Sequence, residues 1–225
     1  MQQTLKVLSY LLDYPQTIEA GVVDEMAAIL AQAAGLGDLQ APLQDFLVFW
    51  GSADRLDLQA LYGSSFERGR QCALYLYEHR YGDSRERGPA MVDLEERYRA
   101  CGLQRLGVEL PDYLPCYLEY CALLPLAQGQ AALVEIIDVL RLLQQGLQRR
   151  QSPFGIVVQA LLRLADAREV LGGEDLARDD DAAAIDQAWA EVPVDFSSTA
   201  WEACHQAAAG RPAVSAFPAS GGSPS

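Results

Sequence analysis

The chain has 225 residues, half of them apolar, and a formal net charge of −14. This length allows one domain with a sizeable core and an extension. Nucleic acid is not expected as a partner, because a negative field repels the phosphates that proteins bind through Lys and Arg. The apolar runs are shorter than the roughly 18 residues of a membrane-spanning helix, and the N-terminus lacks the features of a signal peptide. We therefore expect a cytoplasmic protein without direct membrane insertion.

Hydrophobic residues recur at helical spacing along almost the whole chain, and no window shows the two-residue alternation of a strand. Thr4 is placed to cap the first helix, and Asp112 is placed to cap the helix that contains Pro115 in its first turn. In chain order, the pattern predicts helices at about residues 4–14, 22–34, 42–51, 56–66, 70–79, from 89 onward, 113–124, 130–150 and 154–170. The expected fold is all-α, a single-domain bundle of about eight or nine helices with a flexible acidic C-terminal extension.

Composition changes after Gly172 and Gly173. We therefore expect a helical domain at residues 1–171, an acidic extension at 172–209 and a disordered tail at 210–225. In the extension, residues 174–191 hold seven acidic residues and one arginine, and the aspartates at 179–181 can cap a short helix. In the tail, 13 of 16 residues are Gly, Pro, Ala or Ser, which bury too little surface to offset the entropy lost on ordering.

Residues that carry catalytic or metal chemistry are sparse. Five cysteines form no Cys-x-x-Cys pair and only two histidines accompany them, so neither a disulfide framework nor a metal site is expected. The glycine-rich loops that bind dinucleotides or nucleoside triphosphates are missing. The remaining catalytic candidates, His79, Asp83 and Ser84, lie too close together in one predicted turn to form a triad around a substrate. No catalytic residue is assigned, and we expect the protein not to be an enzyme.

The most distinctive stretch is the charged loop at residues 78–91, EHRYGDSRERGPAM, between two apolar helical runs. Gly82 and Asp83 favour a turn, and the guanidinium groups of Arg85 and Arg87 suit anion binding. The middle third of the chain is also rich in tyrosine, whose ring favours surfaces that are partly apolar and partly hydrated. These features predict a recognition groove, although for any single tyrosine burial in the core is the better explanation.

Two blocks of sequence carry a resemblance to a known family. In the first block the matching residues are Tyr62, Phe66, Glu67, Arg70, Leu74, Leu76, Glu78, His79, Gly82, Asp83, Ser84, Arg85, Arg87, Gly88, Ala90 and Met91. The second block is Glu109-Leu110-Pro111-Asp112-Tyr113-Leu114-Pro115, followed by Tyr117-Leu118-Glu119-Tyr120. With these blocks, roughly residues 4–166 resemble the molybdenum-cofactor assembly chaperones of respiratory nitrate reductase, the delta chain, within the redox-enzyme maturation chaperones. The sequence departs from the pattern at Tyr81 and Tyr113, where members often carry His, so no histidine-dependent, pH-sensitive element is implied there.

The resemblance implies an all-helical chaperone that is not part of the final enzyme. Members of this family bind the catalytic (alpha) subunit of nitrate reductase through its N-terminal segment while that subunit is apo and cytoplasmic. They assist insertion of the molybdenum cofactor, bis-molybdopterin guanine dinucleotide, before membrane attachment. The cofactor then belongs to the client and none is bound stably by the chaperone, and cofactor-delivery proteins are candidates for further partners.

A client segment that enters as an amphipathic helix would lie in a groove between helices, with acidic residues at the rim. The predicted groove residues are Tyr62, Phe66, Arg70, His79, Tyr113 and Tyr117. The predicted polar anchors or supports of the loop are Glu78, Asp83, Arg85, Arg87, Asp112 and Glu119.

Two alternatives come from other functional classes. A helical scaffold protein would self-associate by docking Trp189, Phe196 and Trp201 of its extension into a neighbouring copy. Deletion of residues 172–225 would then abolish self-association, whereas a chaperone without them would still bind its client peptide. A small hydrolase would use His79 and Ser84.

Overall fold

The computed structural model describes residues 1–16, 21–33, 35–105 and 108–165, and this part of the chain contains ten α-helices and no strand. The helices are α1 Gln2–Leu12, α2 Val22–Ala31, α3 Gln40–Ser52, α4 Arg55–Phe66, α5 Leu76–Tyr81, α6 Arg87–Ala100, α7 Leu114–Leu123, α8 Leu126–Glu135, α9 Ile137–Arg149 and α10 Gly155–Leu164. Two short 3-10 turns precede α3 and α5. The predicted all-α class is confirmed, with ten helices in place of eight or nine.

The chain divides into two units, Met1–Asp181 and Ala182–Ser225, and all described residues belong to the first. The predicted acidic extension at 172–209 and the predicted disordered tail at 210–225 lie outside the described residues. Among the described helices, none combines the length and the apolar composition that crossing a membrane would take.

The contact between α1 and α7 is the most extensive in the described bundle. Leu5, Leu8 and Leu11 of α1 are wholly buried, as expected for a stripe at helical spacing. The buried hydroxyl of Ser9 donates a hydrogen bond to the Pro115 carbonyl at 2.8 Å, which satisfies a polar group inside this contact. The helices are therefore fixed so that the end of α1 lies beside the segment that leads into α7.

The helix predicted at residues 130–150 is divided at Ile136 into α8 and α9. In an unbroken helix the Ile136 N–H would bond the Ala132 carbonyl, but it donates to Leu133 at 3.2 Å. The Ala132 carbonyl accepts instead from the buried Tyr117 hydroxyl at 3.0 Å. The apolar spacing continues through the break, so local sequence could not reveal it.

The helix predicted at residues 70–79 is also divided, into a 3-10 turn at Arg70–Cys72 and the helix α5. Between them the backbone is extended and forms an antiparallel bridge between Tyr75 and Tyr113. Leu76 N–H donates to the Asp112 carbonyl at 2.9 Å, and Leu114 N–H donates to the Leu74 carbonyl at 2.7 Å. Because partners far along the chain satisfy these backbone groups, a helix is not needed there.

Asp112 caps a different helix from the one predicted. The first helix after Asp112, α7, has no side-chain cap at Tyr113. The Asp112 carboxylate accepts instead from the Tyr77 N–H at 3.0 Å, in the first turn of α5. The prediction that it caps the following helix was therefore wrong, because the bridge brings α5 closer to its side chain.

Gly129 is required by the close approach of α8 to α7. A Cβ at this position would lie 2.6 Å from the Cys121 carbonyl oxygen, which as a backbone atom cannot move aside. We expect Gly129→Ala to lower the free energy of unfolding by about 1 to 3 kcal/mol, measured by urea denaturation.

The matched control is Gly88→Ala, because Gly88 also lies in a helix and a Cβ there would meet nothing within 4 Å. This change should leave the unfolding free energy equal or raise it slightly, since alanine favours helix. Equal stability of the two variants would contradict the close contact.

Candidate functional site

Two clefts open on either side of Tyr113. The first, here called the α4–α5 cleft, has a volume of about 460 Å³ and is lined chiefly by Tyr14, Tyr62, Phe66, Arg70, Tyr75 and Glu78. The second, here called the α1–α7 cleft, has a volume of about 620 Å³ and is lined chiefly by Tyr10, Asp13, Leu110, Cys116, Glu119 and Leu123. Tyr113 and Glu109 line both clefts.

Aromatic rings form the floor of the α4–α5 cleft. Asp54 caps α4 by accepting from the Leu56 N–H at 2.9 Å, and this helix presents Tyr62 and Phe66 one turn apart. The two rings lie 4.8 Å apart between centroids, and Phe66 lies 5.0 Å from Phe154 of the core. Such packing holds the floor rigid, so the cleft is formed before any ligand binds.

Tyr14 forms an apolar wall of the same cleft. Its ring meets the Tyr62 ring edge to face at 5.4 Å, and 42% of the residue remains exposed. Tyr14 thus offers a ring surface to a ligand, whereas Tyr62 is 4% exposed and mainly supports the floor.

A chain of hydrogen bonds joins the two clefts through their shared wall. The hydroxyls of Tyr62 and Tyr113 lie 2.9 Å apart, and the Tyr113 hydroxyl also lies 3.0 Å from Asp13 Oδ1. The Tyr62 hydroxyl also lies 3.1 Å from the Leu12 carbonyl, so the two hydroxyl protons are shared among three contacts. Burial raises the pKa of both tyrosines, so both hydroxyls stay protonated at neutral pH. The chain ties the end of α1 to α4 and to the segment before α7.

The rim of the α4–α5 cleft is mainly acidic. Glu67, Glu78 and Glu109 carry carboxylates there, and among the described residues of the lining Arg70 is the one basic side chain. Arg70 lies 4.0 Å from Glu78 and 3.5 Å from Asp83, and its charge is therefore partly balanced. The residual field favours a ligand with positive charge.

The two arginines of the charged loop differ in their surroundings. Arg87 Nη2 lies 3.7 Å from Asp112 Oδ2, and the Asp112 side chain is wholly buried. Burial raises the pKa of the Asp112 carboxyl, while the Tyr77 N–H and the Arg87 charge act in the opposite direction. Arg85 is exposed and forms no hydrogen bond or ion pair within the part of the chain that the structure describes. Arg87 therefore supports the fold, and Arg85 remains free to contact a partner.

His79 and Tyr117, two residues of the predicted groove, do not line the α4–α5 cleft. His79 Nε2 lies 2.8 Å from the Ala73 carbonyl, where a protonated nitrogen donates and supports the turn before α5. The Tyr117 hydroxyl bonds the Ala132 carbonyl at the break between α8 and α9. Both side chains therefore hold backbone carbonyls, His79 before α5 and Tyr117 at the break between α8 and α9.

The other predicted site residues fall into three groups. Tyr62, Phe66, Arg70, Glu78 and Tyr113 line the α4–α5 cleft. Glu119 lines the α1–α7 cleft, and Asp83 lies at the rim through its contact with Arg70. Asp112 and Arg87 form an ion pair in which the Asp112 side chain is wholly buried and the Arg87 side chain is partly exposed.

Sequence reasoning did not select Tyr14, Tyr75 and Glu109 as site residues, although all three line the α4–α5 cleft. Tyr75 Oη donates a short hydrogen bond to Glu109 Oε2, which fixes both side chains at the rim. One local signal was present, since Tyr14 directly precedes Pro15, a residue that ends a helix. An aromatic residue there is held at a fixed position beyond α1.

The hydrolase alternative gains no support from the positions of its residues. The Ser84 hydroxyl accepts from the Glu86 N–H at 3.3 Å, while His79 bonds the Ala73 carbonyl. Each group serves its own turn. Among the described residues, no three side chains of His, Cys, Asp or Glu are grouped so as to hold a metal ion.

The sequence of this chain matches a known protein family. The sequence model of the family described as "Nitrate reductase delta subunit" matches residues 30–156, more than half of the chain. The chain belongs to this family. The match confirms the resemblance carried by the two sequence blocks, both of which fall within those residues.

Relatives of this family extend the match over most of the chain. The "Nitrate reductase molybdenum cofactor assembly chaperone NarJ" of Escherichia coli strain K12 is 41% identical over 198 residues, which cover 85% of this chain and 84% of the relative. The "Probable nitrate reductase molybdenum cofactor assembly chaperone NarW" of the same strain is 37% identical, covering 90% and 87%. The corresponding probable NarJ chaperone of Bacillus subtilis strain 168 is 27% identical, covering 72% and 87%.

The buried Asp112 carboxylate and its contacts with Tyr77 and Arg87 should make a measurable contribution to stability. Asp112→Ala removes the acceptor of the Tyr77 N–H and the partner of Arg87. We expect the free energy of unfolding to fall by about 2 to 3 kcal/mol, measured by urea denaturation.

Asp83→Ala is the control, because Asp83 is an exposed carboxylate of the same loop. It should change the unfolding free energy by less than about 0.5 kcal/mol. The unfolding free energy of Asp112→Asn should lie between those of the two alanine variants, since its amide oxygen can still accept a hydrogen bond from the Tyr77 N–H. A loss for Asp112→Ala no larger than that for Asp83→Ala would rule out the capping role.

Proposed function

We propose that this protein is a system-specific chaperone that assists molybdenum cofactor assembly of nitrate reductase by binding the catalytic subunit before that subunit is complete. The N-terminal segment of the catalytic subunit is the part bound, and the α4–α5 cleft receives it. The observation that carries this proposal is a rigid aromatic floor inside an acidic rim, in a family whose relatives are named as chaperones of this assembly.

The chemistry of the cleft favours a peptide with apolar and basic side chains. The hydroxyls of Tyr62 and Tyr113 are already hydrogen-bonded within the protein, so the floor offers ring surface more than free polar groups. An amphipathic helix can place an apolar side chain on such a floor. The carboxylates of Glu67, Glu78 and Glu109 then attract its basic residues and increase the association rate.

The molybdenum cofactor is the client's cargo in this proposal. The described residues give the clefts apolar surface and charge. The chaperone binds the N-terminal segment that the client exposes before its cofactor is inserted. Binding takes place in the cytoplasm, where the apo subunit is made. Release must follow loading, so an affinity in the micromolar range suits the task better than a tighter one.

Truncation of Tyr14 tests the α4–α5 cleft with little risk to the fold, since its ring is half exposed. We expect Tyr14→Ala to weaken binding of a synthetic peptide with the N-terminal sequence of the cognate catalytic subunit by about tenfold, as for an aromatic anchor. Isothermal titration calorimetry measures the change.

Phe49→Ala is the matched control for this change. Phe49 is also an aromatic residue that is 42% exposed, and it lies on α3 outside both clefts. Its truncation should leave the peptide affinity unchanged. If Tyr14→Ala and Phe49→Ala bound the peptide equally well, the α4–α5 cleft would be excluded as the binding site.

The charged loop can be tested separately through Arg85. Because Arg85 is exposed and unpaired among the described residues, Arg85→Ala should leave the melting temperature unchanged. We expect it to reduce the yield of cofactor-loaded nitrate reductase in cells that depend on this chaperone. Full maturation with this variant would show that the loop only connects α5 to α6.

A further inference from the structure

The α1–α7 cleft is larger than the cleft assigned above, and the proposed function leaves it without a role. It is not a remote feature, because Glu109 and Tyr113 form part of its wall and part of the wall of the α4–α5 cleft. The two spaces therefore adjoin at these two side chains. A ligand that fills one cleft therefore ends beside the other.

The lining of the α1–α7 cleft includes large apolar side chains that are exposed to solvent. Leu110 and Leu123 are each 44% exposed, and Tyr10 is exposed to a similar extent. The Tyr10 ring is held edge to face against Trp50, with 5.8 Å between centroids. A fixed ring and two exposed leucines around one concave space resemble the anchor pockets of peptide-binding grooves.

The charge of this cleft has the same sign as that of its neighbour. Asp13, Glu109 and Glu119 contribute exposed carboxylates. Of the two cations that the described residues bring to this lining, Arg105 is paired with Glu95 at 2.8 Å, which leaves Lys6 as the balancing charge. Although the residue as a whole is exposed, partial burial of its carboxyl group raises the pKa of Glu119, an effect that the Asp13 charge increases and Lys6 opposes. A cationic side chain of a ligand would relieve this repulsion.

The shared wall is built to stay in place when a ligand binds. The Tyr113 hydroxyl is held by Tyr62 and Asp13, and its backbone is held by the bridge to Tyr75. Glu109 is fixed beside it by the Tyr75 hydroxyl. The shared wall is therefore a ridge that carries the Glu109 carboxylate and separates the two clefts.

We infer that one client segment occupies both clefts, with an apolar anchor on each side of Tyr113 and a basic residue between the anchors that pairs with Glu109. This inference rests on the proposed function and specifies the segment: an amphipathic helix with apolar side chains on one face and Lys or Arg between them. Anchors on one face of a helix recur every three or four residues, so two such anchors can lie on either side of a side chain that lines both clefts.

A second copy of this chain fits the α1–α7 cleft less well. The protein carries a net charge of −14, and an acidic partner would meet carboxylates. Continuity with the α4–α5 cleft also favours the segment that already lies there.

Truncation of Leu123 tests occupancy of the α1–α7 cleft. We expect Leu123→Ala to weaken binding of the cognate N-terminal peptide five- to tenfold in titration calorimetry, as Tyr14→Ala does in the other cleft. The matched control is Val134→Ala, because Val134 is 47% exposed on α8 outside both clefts, and this variant should bind normally.

The affinities of the Tyr14→Ala and Leu123→Ala variants together distinguish failure of the two-cleft inference from failure of the proposed function. Weakening by Tyr14→Ala alone would overturn the two-cleft inference and leave the proposed function standing. Weakening by Leu123→Ala alone would also overturn it, because the segment would then lie in one cleft only. If neither variant changed the affinity, both proposals would fail.

The charge contact is tested by a double-mutant cycle. Glu109→Gln should weaken binding of the native peptide several-fold. The same change should have little further effect on binding of a peptide whose central basic residue is replaced by Gln. Independent, additive effects of the two changes would show that Glu109 does not pair with that residue.

Cys116 gives a readout that needs no substitution. Its half-buried thiol lines the α1–α7 cleft, and burial raises its pKa to about 11, so alkylation at alkaline pH reports on access to the cleft. Saturating peptide should slow alkylation of Cys116 several-fold while leaving the exposed Cys101 unaffected, as followed by peptide mass mapping. An unchanged rate at Cys116 would place the segment outside this cleft.

Discussion

The pairing of the extended residues before α5 with the segment before α7 is the contact on which the binding surface depends. Two backbone hydrogen bonds and the bridge between Tyr75 and Tyr113 join parts of the chain almost forty residues apart. The carboxylate of Asp112 then caps α5 and pairs with Arg87. This pairing brings the two sequence blocks that mark the family into one structure, and both clefts are lined by residues from it.

Buried hydroxyl groups complete the arrangement from the side of α1. The chain of bonds through Tyr62 and Tyr113 ends at Asp13, directly after the last turn of α1. A hydroxyl left unbonded in this interior would cost stability, so each ring can adopt few orientations. The hydroxyl groups that hold Tyr113 between the clefts therefore also fix α1, which lines the α1–α7 cleft. Binding surface and core share one set of side chains, and this is why several tyrosines of the predicted groove are buried.

Local sequence was enough to predict most of the helices and part of the cleft lining, but not the breaks within residues 70–79 and 130–150. The fourth helix was expected at residues 56–66 and is found at Arg55–Phe66, because its apolar spacing is a local signal. Tyr62 and Phe66 follow from that helix. Tyr14 and Glu109 could not be predicted as their neighbours, since contacts over long distances along the chain bring them there. The break at Ile136 has the same origin, because it follows from a hydroxyl on another helix.

The composition of the α1–α7 cleft has a practical consequence. Lys6 is the only lysine in the sequence, and it is exposed in the lining of that cleft. An amine-reactive fluorophore or crosslinker can therefore modify one side chain, apart from the amino terminus of the chain. Such a reagent would mark a single position beside the ridge, and distances measured from it would map a bound polypeptide without any engineered attachment point.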